Sequence, residues 1–211
     1  MFKSLDKSIL YLTLSDSFVW GPFVIIANLT SLYLSEKLGA DTASFVGIGT
    51  GIYFLTRAIL QMPVGILIDK IKNDRDEIIL LMLGIILMGL PFFFYPEITE
   101  PYQYYILQFI FGLGVSLNLP TWRKLFALNL DEGKEGSSYG FYETILSFST
   151  VIFSIIIGYV ANLGGIYFDW AMRGASILMM LAGGFVLLIS TVKERKSHDG
   201  HSVLPVEKGI K

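Results

Sequence analysis

The chain has 211 residues, 53% of them hydrophobic and only 16% charged, with a mean hydropathy of +0.60 and a net charge of −2. Soluble domains carry roughly 25% charged residues, so this deficit, together with long apolar runs, marks an integral membrane protein. Cysteine is absent, and both histidines, His198 and His201, lie in the polar C-terminal stretch. That excludes disulfides, thiolate nucleophiles, and histidine-held zinc or haem inside the membrane.

Six spans follow in chain order, each near or above the ~20 residues that a membrane-crossing helix needs. The first covers about residues 9–34, after the short head Met1–Ser8, and is too long and too interrupted by polar residues for a signal peptide. The others cover about 43–68, 78–96, 103–122, 138–161 and 166–191. Short connections make neighbouring helices antiparallel. The expected organisation is one membrane domain, 1–192, and a polar, disordered tail, 193–211. Lys and Arg set the orientation. Thirteen of them (Lys3, Lys7, Lys70, Lys72, Arg75, Arg123, Lys124, Lys134, Lys193, Arg195, Lys196, Lys208 and Lys211) fall on one side and Lys37 alone on the other. Both termini are therefore expected in the cytoplasm, in the plasma (inner) membrane. Trp170, Tyr95, Tyr102, Tyr104 and Tyr105 are expected at the outer interface.

Function is sought among polar groups inside the spans, because an unpaired charge in hydrocarbon costs roughly 3 kcal/mol or more. These are Asp16 in the first helix, Arg57 in the second, Gln108 in the fourth, Glu143 in the fifth and Arg173 in the sixth. Arg173 reads as a structural side chain that snorkels outward. Asp16, Arg57 and Glu143 read either as a buried ion pair that fixes packing or as a substrate or proton site, with Arg57 paired to one of the two acids. Many of the 21 glycines lie inside spans, among them Gly47, Gly49, Gly51, Gly112, Gly114, Gly183 and Gly184, as close helix packing requires. There is no phosphate-binding Gly-Lys-Ser/Thr loop, no Gly-x-Ser-x-Gly elbow and no Ser/His pair. Neither enzyme activity nor a cofactor is expected. The basic loops flank a membrane and form no stripe for nucleic acid.

Between the second and third spans the chain reads Gly65-Ile66-Leu67-Ile68-Asp69-Lys70-Ile71-Lys72-Asn73-Asp74-Arg75. This resembles the loop motif of the major facilitator superfamily, Gly-x-x-x-Asp-(Arg/Lys)-x-Gly-Arg-(Arg/Lys). Gly65, Asp69 and Lys70 match, Lys72 stands at the second glycine, and Arg75 is displaced. Asp16…Gly21-Pro22 is similar to the first-helix element of drug-exporting members. Gly112-Leu113-Gly114 matches the glycines of the fourth-helix pattern, with Gln108 where the family has arginine. The fifth helix lacks the Gly-Pro-rich run of the proton antiporters.

The resemblance covers about residues 8–192 and implies an all-α integral membrane protein, six transmembrane helices forming half of a major-facilitator-type fold. By that likeness helices one and four line a cavity, with Asp16, Trp20 and Asn28 on one and Gln108 and Asn118 on the other. Helices two and five would flank a second half, and three and six would face lipid. The implied function is secondary transport of a small organic solute by alternating access, with protons as a possible second substrate. A non-transporting scaffold and one half of a heterodimeric transporter are the alternatives. With six spans, a parallel homodimer is expected to complete the fold. Asp69 would then meet Gly136, Ser137 and Ser138 of the second copy, at the N-terminus of its fifth helix.

Overall fold

The computed structural model describes residues 7–39, 41–71 and 74–198. Lys3, Lys72, Asn73, His201, Lys208 and Lys211 fall outside these residues, as do the side chains of Lys193, Arg195, Lys196 and His198. Six long helices run in order: α1 Lys7–Leu38, α2 Thr42–Lys70, α3 Asp74–Phe93, α4 Pro101–Leu128, α5 Glu135–Asn162 and α6 Ile166–His198. No strand occurs among the described residues.

Local chemistry explains the boundaries. α3 stops at Phe93 because Tyr95–Glu97 form a 3₁₀ turn around Pro96. α4 starts where Glu100 and Gln103 form a reciprocal cap, Gln103 Oε1 accepting from the Glu100 amide at 3.1 Å, with Pro101 in the first turn. It continues to Leu128, past the expected end at 122, and this extra turn buries Leu125 and Phe126. α6 reaches His198 rather than 191. Lys193-Glu194-Arg195-Lys196 are good helix formers, and no glycine intervenes before Gly200.

Five of the six helices are long and apolar enough to cross a membrane. α4 is long but carries Gln108 and Asn118, and it buries both against neighbouring helices. α1 packs against α5 and α6, α4 packs against α2 and α3, and α3 packs against α6. Exchanging α1 with α4, α2 with α5 and α3 with α6 leaves this pattern unchanged, and each exchanged pair runs in opposite directions. The helix contacts thus repeat as two three-helix units of opposite direction.

The repeats meet through glycines. A methyl at Gly114 would lie 2.7 Å from the Met88 amide and 2.9 Å from the Gly84 carbonyl, and one at Gly112 would strike Thr56. At Gly49 the Tyr104 ring occupies the place of a side chain. Gly47, Gly51, Gly183 and Gly184 have nothing within 4 Å and do not serve this packing. Of the aromatic residues expected at the outer interface, Tyr95 and Tyr104 are buried in the aromatic core and Tyr102 and Trp170 are exposed. Polar ties close both ends. At the end bearing Lys37, that ammonium lies 3.5 Å from Asp169 and donates to the Pro96 carbonyl at 2.9 Å; Arg173 pairs with Glu97. At the opposite, basic end, Lys124 pairs with buried Glu77 at 2.8 Å and donates to the Ile68 carbonyl at 2.8 Å.

Gly114→Ala should therefore destabilise the purified protein by ~1–3 kcal/mol, the usual range for overpacking. Gly158→Ala, with nothing within 4 Å, should leave the thermal midpoint unchanged or slightly raised. Equal midpoints for the two variants in detergent would contradict the α3–α4 contact.

Candidate functional site

A cavity of about 640 Å3 lies towards the basic end, between α1, α4 and α5. Helical spacing builds it. Asp16, Trp20 and Val24 recur every fourth residue on α1. Leu119, Trp122, Arg123 and Ala127 share one face of α4, and Tyr139, Tyr142, Glu143 and Leu146 share one face of α5. The Trp122 indole donates to the Leu12 carbonyl at 3.0 Å and pins α4 to α1 beneath the cavity. Its ring stacks on Phe126 and leans on Tyr142, at centroid separations of 4.7 and 4.8 Å.

Asp16 is 3% exposed. Its Oδ2 accepts a hydrogen bond from the Tyr142 hydroxyl at 2.6 Å, while Oδ1 is buried without a hydrogen-bond partner. Glu143 and Arg123 are exposed to the same cavity. The site thus holds two carboxylates, one guanidinium and a tyrosine hydroxyl between aromatic walls. Such a set can bind a cation, exchange a proton, or hold a polar organic molecule against rings.

The other candidates separate from this group. Arg57 forms no ion pair with Asp16 or Glu143. Its guanidinium donates to the Tyr53 hydroxyl at 2.7 Å and lies 5.3 and 5.6 Å from the Tyr53 and Phe54 ring centroids. The reason is placement: α2 packs on α4, whereas the acids belong to α1 and α5. Gln108 faces a different pocket and donates to the Tyr95 hydroxyl at 2.8 Å. Asn118 is buried beside Gly84 of α3, its Oδ1 unpartnered, and lines neither cavity. Asn28 is exposed; it stands about 120° around α1 from Asp16. Asp69 and Lys70 are exposed at the end of α2, and Arg75 at the start of α3. Among the described residues, nothing beyond the backbone of its own helix lies within 4 Å of a side chain added at Gly65. Gly136 and Ser137 are exposed in the first turn of α5, and Ser138 is buried.

With the fourth span expected to end near 122, Arg123 counted among the loop charges and was missed as a cavity residue. The spacing Leu119–Arg123–Ala127 carried the signal. Tyr142 gave none, since a tyrosine one residue from an acid has many ordinary explanations.

The bundle thus places a buried carboxylate beside a polar cavity between three long helices. The family model described as Major Facilitator Superfamily matches residues 12–208. The chain belongs to that superfamily and is an integral membrane protein of a transporter family. No curated protein matches it.

The geometry separates two pairs that stability measurements can distinguish. In a double-mutant cycle, Asp16→Asn with Tyr142→Phe should couple by ~0.5–3 kcal/mol, as touching residues do. Asp16→Asn with Arg57→Ala should be additive within ~0.5 kcal/mol. Coupling of Arg57 to Asp16 as strong as that of Tyr142 would refute the arrangement.

Proposed function

We propose that this chain is one six-helix body of a secondary active transporter that moves a small organic solute by alternating access. The observation that carries this reading is the polar cavity between α1, α4 and α5, with Asp16 buried in the first third of α1. A membrane protein that only scaffolds gains nothing from an unpartnered carboxylate oxygen beside a cavity of that size. Asp16 and Glu143 are the groups through which a proton or a cation would be held, and Trp20, Trp122 and Tyr139 offer ring faces to the solute. The basic end faces the cytoplasm in the plasma (inner) membrane, by the excess of Lys and Arg there.

A second six-helix body covers α2 and α5. These helices are the least enclosed of the bundle, and α5 exposes Glu143, Thr144 and Ser147 beside Phe148 and Ile155. Polar groups on such a face are costly against lipid. A parallel second copy is the occupant, related by a twofold axis along the membrane normal. Asp69 of one copy then reaches Gly136, Ser137 and Ser138 of the other. The first-turn amides of α5 favour an anion there. Open space at Gly65 suits the approach of that helix.

Asp16→Asn should abolish accumulation of solute driven by a pH gradient while the protein still folds and reaches the membrane. Normal accumulation by this variant would overturn the role of Asp16. The assembly is tested separately. The chain has no cysteine, so Asp69→Cys on one tagged copy and Ser138→Cys on a differently tagged copy should crosslink in native membranes. A monomeric mass in mild detergent with no crosslink would reject the second copy.

A further inference from the structure

A second cavity, of about 250 Å3, lies on the far side of α1 from the Asp16 cavity's α5 wall, towards the end bearing Lys37. Its walls are rings. Phe23 stacks on Phe111 at 4.9 Å, Tyr53 leans on Phe111 at 5.1 Å and on Phe54 at 4.7 Å. Its polar groups are neutral: Thr30, Thr50, Gln108 and the hydroxyls of Tyr95 and Tyr104. No carboxylate lines it.

Arg57, one helical turn from Tyr53 and near the middle of α2, does not line the pocket itself, but its guanidinium lies 5.3 and 5.6 Å from the centroids of two rings that do, Tyr53 and Phe54. The Tyr53 hydroxyl fixes the guanidinium through one nitrogen, and Nε is buried with no hydrogen-bond partner. No acid among the described residues pairs with Arg57. A charge at this depth requires an opposite charge, and the pocket provides none of its own. A guanidinium held at one corner keeps a fork of donors that matches a carboxylate. Stacked rings accept the flat face of another ring. The volume, below the ~300–1,000 Å3 of drug-sized sites, limits the occupant to one ring and a short side arm.

We infer that this pocket binds a small ring-bearing carboxylate, with the ring between Phe23, Phe54 and Phe111 and the carboxylate paired to Arg57. The inference concerns binding and does not rest on the transport reading; loss of the Asp16 role would leave it standing. Benzoate is the smallest probe of this chemistry, and benzamide is its uncharged counterpart of the same shape.

Saturable binding of radiolabelled benzoate to the full chain in lipid nanodiscs is the measurement. Wild type should bind benzoate at least tenfold more tightly than benzamide. Arg57→Gln should lose that preference, and Tyr53→Phe, which frees the guanidinium but keeps its charge, should weaken benzoate severalfold. Benzoate should also raise the thermal midpoint of wild type and not that of Arg57→Gln. If Arg57→Gln does not fold, the contrast between acid and amide on wild type and the Tyr53→Phe variant decide the matter. Absence of saturable benzoate binding at millimolar concentration would overturn the inference. So would equal binding of benzamide, or an Arg57→Gln variant that binds benzoate as wild type does. A carboxylate supplied to Arg57 by a second six-helix body would appear as the first of these results.

Discussion

Hydrocarbon offers no hydrogen bonds, so each polar group in this bundle must find its partner inside the protein or leave a cost unanswered. Most find one. The Trp122 indole takes the Leu12 carbonyl, Ser176 takes the Gly89 carbonyl, and Gln108 takes the Tyr95 hydroxyl. Thr30, Thr56, Ser116 and Thr121 bond back to carbonyls one turn earlier on their own helices. Against that background stand the incomplete cases, among them Asp16, at its cavity, and Arg57, behind the Tyr53 and Phe54 walls of the second. A third, Asn118, is enclosed between α3 and α4 and has no cavity to serve. Lack of a partner therefore points to function only where there is room for a ligand to provide one.

The inverted contact pattern relates the two cavities described above. α1 and α4 each cross the bundle beside one helix of the opposite repeat, α5 for α1 and α2 for α4. Gly21 against Phe153 marks the first crossing and Gly112 against Thr56 the second. One cavity lies towards each end, and the repeats have diverged in what they place there. Charge gathers by α5, with Asp16, Arg123 and Glu143. Rings and neutral donors gather by α2. A shared architecture with different side chains yields two sites of different chemistry.

Much of the fold was legible in the sequence because membrane spans depend on length and apolarity, which survive without knowledge of packing. The loop motif around Asp69 and the paired glycines Gly112 and Gly114 pointed to the family for the same reason: small residues and fixed spacings mark local geometry. Helix ends were less legible. Arg123 and Lys124 counted as loop charges, yet α4 carries both inside the helix and continues to Leu128. The pairing of charges was least legible. Depth alone brought Arg57 and Asp16 to one level, but which faces of the helices meet is settled by their order around the bundle, and no periodicity in a single chain reports that order. Asn28 and Asn118 show the same gap, since each sits on a cavity helix but on the wrong face of it.

Lys124 has one more property. Its ammonium holds the Ile68 carbonyl and the Glu77 carboxylate, so the last turn of α2, the first turn of α3 and the inner end of α4 are fastened at one point. The preceding residue, Arg123, faces the Asp16 cavity. Neighbouring residues on a rigid helix cannot turn independently. Any rotation of α4 about its axis that carried Arg123 towards a charge in the cavity would carry Lys124 with it and load its ties to the Ile68 carbonyl and Glu77. The cavity wall and the joint between α2 and α3 thus share one shaft.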